Sequence, residues 1–151
     1  MQLSKDIDGK RKNSTMMRTY EELITLPTFE ERFKYCDLTG IVGEETFGYD
    51  RWLNQQLYSS SEWRRFKREI AIRDNGCEFA LPGFDIIKYA TVHHLNPVTK
   101  DDILNRRPCI FDRNNVVLVS TETHKFLHYG HGRVPQREPI IRRPNDTCPW
   151  R

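Results

Sequence analysis

The chain of 151 residues carries 24 Lys+Arg against 21 Asp+Glu, a formal net charge of +3, with 37% apolar and 30% charged residues. That size and balance suit one domain with extensions and exclude a second large one. Apolar runs such as Ile70-Ala71-Ile72 and Val116 to Val119 fall far short of the roughly 18 residues that a membrane span needs, which excludes a transmembrane helix.

Residues 1–17 are polar and aperiodic, so they read as a disordered lead-in. The charges at Lys5 and Asp6 stand where a secretory signal would be apolar, and a cytoplasmic protein is expected. Thr28-Phe29-Glu30-Glu31 predicts a capping box opening a helix that ends near Leu38-Thr39-Gly40. Gly43 and Gly48 bracket a loop. Tyr49, Trp52, Leu53, Gln56 and Leu57 repeat at helical spacing, and together these stretches form a helical extension over residues 18–59. A break at Ser59-Ser60-Ser61 starts the next helix, with Trp63, Phe66 and Ile70 on one face and Arg64, Arg65, Lys67, Arg68 and Arg73 on the other. Trp52, Tyr58, Trp63 and Phe66 are expected in the core, because the chain has few other bulky apolar residues.

Asp74-Asn75-Gly76 stops that helix. Ile86 to Leu95 reads as a strand ending at His93-His94, Thr99 caps a short helix to about Asn105, and Val116 to Val119 is a second buried strand. A last helix begins near Ser120 or Thr121 and carries His124 and His128 to a stop at Tyr129-Gly130. Beyond it, residues 132–151 form a Pro- and Arg-containing basic tail. Cys36, Cys77, Cys109 and Cys148 are widely spaced, form no C-x-x-C pair and read as reduced thiols.

All five histidines fall between His93 and His131, and none precedes them. On a helix, residues i and i+4 share a face, so His124 and His128 can present two imidazoles to one ion. A strand alternates faces, so His93 and His94 cannot both reach that ion, and the pair implies a division of labour. Three neutral imidazoles leave the ion its full charge and open positions, while a fourth histidine can serve as general base. This combination suits phosphodiester cleavage. His131, in a Gly130-His131-Gly132 loop, stays outside the site.

The chain resembles the HNH endonucleases, and in particular small bacteriophage members, over roughly residues 60–131. The resemblance is carried by Arg73-Asp74-Asn75-Gly76-Cys77, Val92-His93-His94-Leu95-Asn96-Pro97, Asn115-Val116-Val117-Leu118-Val119 and Thr123-His124-Lys125-Phe126-Leu127-His128-Tyr129-Gly130. Upstream, Thr46-Phe47-Gly48-Tyr49-Asp50-Arg51 is similar to the phage proteins. The resemblance implies an α+β fold with a ββα-metal core, His93, His124 and His128 as ligands of one divalent ion (Mg, Mn, Ni or Zn), and His94 as general base. It also implies that Asn115 steadies the loop that holds the base. Asn114 is its local rival, but Asn115 lies nine residues before His124 and directly precedes the strand. Many family members add a zinc held by two C-x-x-C pairs. Here those positions read Cys77, Ala80, Ser120 and Thr123, so no structural zinc is expected.

The expected substrate is DNA, with Arg64, Lys67, Arg68, Arg73 and the tail arginines as phosphate contacts that carry no base reading. Phage terminase or portal proteins are the partners that the resemblance suggests, in genome packaging, with a homing-type nuclease as the other role. The alternative is a non-catalytic module in which the histidines hold a structural zinc and the basic surfaces bind DNA or a packaging partner. No fourth protein ligand is evident for such a zinc.

Overall fold

The computed structural model describes residues 17–38 and 51–144. The lead-in before Met17, the loop from Gly43 to Gly48, Tyr49, Cys148 and the end of the tail lie outside the described residues.

The fold is mixed helix and strand. Thr19 caps a one-turn helix, α1 (Tyr20–Leu23), that the sequence does not announce. In α2 (Phe29–Cys36) the Thr28 hydroxyl accepts from the Glu31 amide and the Glu31 carboxylate accepts from the Thr28 amide, the reciprocal cap expected there. Helix α3 (Arg51–Ser59) is followed by α4 (Ser61–Arg73), whose Ser60 cap accepts from the Trp63 amide. Trp63, Phe66 and Ile70 are buried along α4, as their spacing predicts. Trp52 and Tyr58 are not core: they stand 56% and 42% exposed on α3.

Strand β1 (Ala90–His94) pairs antiparallel with β2 (Val116–Ser120), with His93 opposite Val117 and His94 opposite Val116. Between them lie α5 (Lys100–Leu104), capped by Thr99, and two 3-10 turns at Pro108–Phe111 and Arg113–Asn115. Helix α6 (Thr121–Tyr129) follows β2 directly. Gly130 ends it where an added Cβ would stand 2.5 Å from the Phe126 carbonyl oxygen. The predicted strand from Ile86 is shortened for a physical reason. Its partner becomes α6 at Thr121, so Ile86 bonds to the Gly76 carbonyl instead and Tyr89 receives the Thr121 amide.

The outer edge of β2 is closed by side chains. Arg73 donates to the Val116 carbonyl at 2.8 Å, Asp74 accepts from the Leu118 amide at 2.8 Å, and Glu78 accepts from the Ser120 amide at 3.0 Å. These bonds satisfy backbone groups that an open edge would leave for another chain. Glu78 also accepts from the Thr123 hydroxyl at 2.5 Å and pairs with Arg137. A buried carboxylate thereby joins the turn after Cys77 to the β2–α6 junction.

A two-stranded sheet buries both faces only if something covers each. On one face Leu95, Val117, Val119 and Leu127 pack with Leu23, Phe29, Phe33, Cys36 and Phe79. On the other Val92, Val116 and Leu118 pack with Trp63, Phe66, Ile70 and Ile110. Residues from α1 and α2 thus share a core with β2 and α6, and residue 60 is no boundary in the packing. The tail also docks as far as Arg142: Ile140 donates to the Gly83 carbonyl at 2.7 Å, Arg137 bridges Glu78 and Glu122, and Arg142 pairs with Asp85. Arg137 and Arg142 of the basic tail are thereby paired with carboxylates of the fold. Among the described residues no helix is long and apolar enough to cross a membrane. Cys36, Cys77 and Cys109 are free thiols, the first two buried.

Candidate metal centre

The alternation of β1 separates the adjacent histidines. His93 points to the face covered by α2 and α6, and His94 to the face covered by α4. One turn apart on α6, His124 and His128 bring their Nε2 atoms within 3.1 Å. One nitrogen from each of His93, His124 and His128 lies within 4.8 Å of the others.

Donor chemistry decides which atom His93 offers. Its Nε2 stands 3.2 Å from the Cys36 carbonyl oxygen, which only accepts, so Nε2 carries the proton. Nδ1 is then a bare lone pair, and it is the sole buried side-chain nitrogen or oxygen without a partner among the described residues. A buried unsatisfied acceptor costs about 1–3 kcal/mol, which invites a ligand. Tetrahedral ligands at metal–nitrogen distances of about 2.0–2.1 Å lie about 3.3 Å apart, so the His124–His128 pair is already at ligand spacing. The three-histidine group can hold a metal ion.

Electrostatics keeps the donors neutral. Burial, then the neighbouring His124 and His128, drives the His93 pKa far below the usual histidine range. Burial pushes His124 down to about 3, with His128 adding to it. His128 is also lowered by burial, while the Asp37 carboxylate pulls the other way. Neutral imidazole is the form that ligates metal.

His94 is held differently. Its Nε2 donates to the Ile110 carbonyl at 3.0 Å, and Trp63 stacks on its ring at 5.6 Å between centroids. With Nε2 as the donor, the remaining nitrogen, Nδ1, is the acceptor of this ring. Burial lowers the His94 pKa against the opposing bond to Ile110, so this lone pair is free at neutral pH.

Asn115 ties the surrounding loop together. Its Oδ1 accepts from the Asn96 amide and side chain at 3.1 and 2.7 Å, and its Nδ2 donates to the Cys109 carbonyl at 3.0 Å. Cys109 directly precedes Ile110, so Asn115 fixes the carbonyl on which His94 rests. Asn114 instead accepts from the Glu21 amide and faces α1. His131 is exposed, outside the cluster.

The proposed DNA contacts divide. Arg64 and Arg68 are exposed on α4 and Lys67 is half-buried there. Arg73 differs from them: it binds Asp74 and the Arg113 and Val116 carbonyls and lies 3.6 Å over the Tyr20 ring. Its donors are committed to the fold, which corrects its reading as a phosphate contact. A cavity of about 740 Å³ lies elsewhere, lined by Tyr20, Arg32, Arg73, Asp85 and Arg142 and by none of the histidines.

Four contributors escape sequence reasoning. The Cys36 and Ile110 carbonyls have no side-chain signature. Asn96, which also pairs with the Arg18 backbone, stands two residues beyond the histidine pair, a proximity that could have flagged it. Trp63 is legible as core but not as the surface beneath His94. No protein-family model matches the chain, and no curated protein or solved structure matches it either.

Proposed function

We propose that the chain is a metal-dependent endonuclease of the HNH type that hydrolyses DNA phosphodiester bonds, with β1, the following loop, β2 and α6 as its ββα-metal core. The observation that carries this reading is the division of the histidine pair. His93 Nδ1 is an orphaned lone pair among two more imidazoles, and His94, on the opposite face, is pinned through Nε2 to Ile110, which leaves Nδ1 as its acceptor.

His94 Nδ1 takes the proton from the water that attacks phosphorus. The Ile110 carbonyl, already bonded to Nε2–H, stabilises the imidazolium that forms, and Trp63 holds the ring plane. Asn115 keeps the loop carrying that carbonyl in place. His93, His124 and His128 would hold one divalent ion of the set Mg, Mn, Ni or Zn, which when bound supplies positive charge at the scissile phosphate and the departing 3′ oxygen. Arg64, Lys67 and Arg68 would bind the backbone without regard to sequence. The phage-like motifs extend the proposal to packaging beside terminase and portal proteins, or to homing.

The test is cleavage of supercoiled plasmid by the purified chain with each metal in turn. Wild type is expected to nick or cut, and His94→Ala to leave the plasmid intact. Intact plasmid with wild type under every metal, or equal cutting by both proteins, would sink the enzyme reading. A chelator is expected to stop cutting without unfolding the chain. Unfolding on chelation would favour the structural-zinc module instead.

A further inference from the structure

We infer that the cavity beside α1 binds a small organic oxyanion, a phosphate or carboxylate on a body of about nucleotide size, held through the unpaired charge of Arg32. The site is separate from the histidines and does not rest on the nuclease reading.

The charges around the cavity do not cancel. Arg73 pairs with Asp74 at 2.7 Å, and Arg142 pairs with Asp85. Arg32, from α2, lines the same cavity and is only 6% exposed, yet its partners are three backbone carbonyls. Its Nε donates to Leu26 at 2.7 Å, Nη1 to Phe79 at 2.7 Å and Nη2 to Ile24 at 2.9 Å, and no carboxylate pairs with it among the described residues. A carbonyl satisfies an N–H without neutralising the cation, and a buried charge without a counter-charge is costly. A guanidinium carries five N–H donors, so these three bonds leave one donor on each Nη for an oxyanion.

The walls agree. The Arg32 guanidinium spans from Ile24, where α1 ends, to the turn at Phe79-Ala80, and Ile24 and Ala80 both line the cavity. Phe79 and Ala80 have φ of 53 and 54, a left-handed backbone that strains non-glycine residues and gathers at ligand clamps. Another wall is the docked tail, where the Ile140 amide donates to the Gly83 carbonyl at 2.7 Å. Apolar Ile24 and Ile140 beside a cation suit a ligand with one charged end and a less polar body. The volume of about 740 Å³ lies within the range of about 300–1,000 Å³ that holds small molecules.

The experiment titrates the full chain, dialysed free of metal so that no ion at the histidines can hold phosphate, with dAMP, succinate and uncharged deoxyadenosine. Ionic strength is held constant, and amide shifts in proton–nitrogen correlation spectra are followed together with Tm. The expected result is saturable binding of dAMP or succinate but not of deoxyadenosine, with shifts at Ile24, Ala80 and Arg142 and a raised Tm. Arg32→Lys keeps the charge and loses the planar fork, so it should weaken binding about tenfold. Because Arg32 also supports three carbonyls, Ile24→Trp serves as the second variant. Ile24 is 43% exposed, so the larger side chain should narrow the cavity and abolish binding while the ligand-free Tm stays close to that of wild type. Failure of both anions to bind, or equal binding of deoxyadenosine, overturns the inference. So do shifts confined to Arg64 and Arg68 of α4, or an Ile24→Trp protein that binds as tightly as wild type.

Discussion

The two faces of the small sheet treat chemically identical side chains in opposite ways. His93 faces α2 and α6, is 1% exposed, and keeps a bare nitrogen sealed inside the protein. His94 faces α4, is 8% exposed, also donates from Nε2 to a carbonyl, and lies against Trp63. Both are neutral, both are buried, and both have the same tautomer. The difference lies in what stands beside the ring: two more imidazoles in one case and the Trp63 indole in the other. A strand turns its side chains over at each residue, so adjacency in sequence places the two imidazoles in separate environments where they do not compete.

If that comparison is right, the two faces fail independently. His94→Ala should lower turnover by about 10²–10⁴-fold while binding metal like wild type. His124→Ala should lose metal affinity first, and turnover only as a result, so that raising the metal concentration restores part of the activity. Calorimetric titration of both variants with Zn²⁺ checks this against their cleavage rates. Equal metal affinities in wild type and both variants would collapse the two faces into one.

Asn115→Ala sharpens the base face. The substitution strands the Cys109 carbonyl and two Asn96 donors, at a cost of about 1–3 kcal/mol in stability. It should lower turnover, because the Ile110 carbonyl is freed, and leave Zn²⁺ affinity unchanged. A fall in metal affinity equal to the fall in turnover would break the separation.

Acid probes the metal face. The folded-state pKa values of His93, His124 and His128 all lie below the value of about 6.5 expected in the unfolded chain. The stability that follows is fully present above about pH 6.5, since neither state is then protonated. As pH falls below that point the unfolded chain takes up protons that the folded chain refuses, so stability drops by about 1.4 kcal/mol per pH unit for each fully suppressed histidine. The chelated protein should therefore melt at a lower temperature at pH 5 than at pH 7, with the dependence weakened in His93→Gln. A Tm flat across that range would contradict the burial assigned to this cluster.

Local rules carried much of this molecule into legibility. Thr28 with Glu31, Ser60 with Trp63, and Trp63 with Phe66 and Ile70 are interactions within one helix, and spacing alone reveals them. His124 and His128 belong to the same class. The strand pair was legible because Val116 to Val119 has no polar interruption, but its length was not, since where β1 begins depends on where its partner turns into a helix. The supports of the site were hidden for a different reason. Cys36 reaches His93 across 57 positions and Arg18 reaches Asn96 across 78. Contacts of that span leave no period in the sequence, and several are made by backbone atoms that every residue possesses. The edge closure by Arg73, Asp74 and Glu78 was equally invisible, because an ion-rich turn reads as solvated surface until a strand is laid against it.

That last point sets the smallest effect and the one that separates α4 from its own final residue. Arg64, Lys67 and Arg68 lie on the outer side of the helix that covers His94, whereas Arg73 closes β2. If the outer residues touch phosphates, each of Arg64→Gln, Lys67→Gln and Arg68→Gln should reduce the slope of log affinity against log salt by about 1, uniformly across DNA sequences. The melting temperatures of Arg64→Gln and Arg68→Gln should hardly move, since exposed substitutions usually change stability by less than about 0.5 kcal/mol. Arg73→Gln should do the reverse. It leaves the Val116 carbonyl and the buried Asp74 carboxylate short of a partner, so it should lower Tm and leave the salt slope intact. Fluorescence anisotropy on a short duplex over a salt series reads the slope, with His94→Ala as background to prevent cleavage. Four variants with identical slopes would mean that DNA meets this protein somewhere other than α4. A reduced slope for Arg73→Gln would mean that its guanidinium trades its carbonyls for a phosphate, and that the edge of β2 opens when DNA binds.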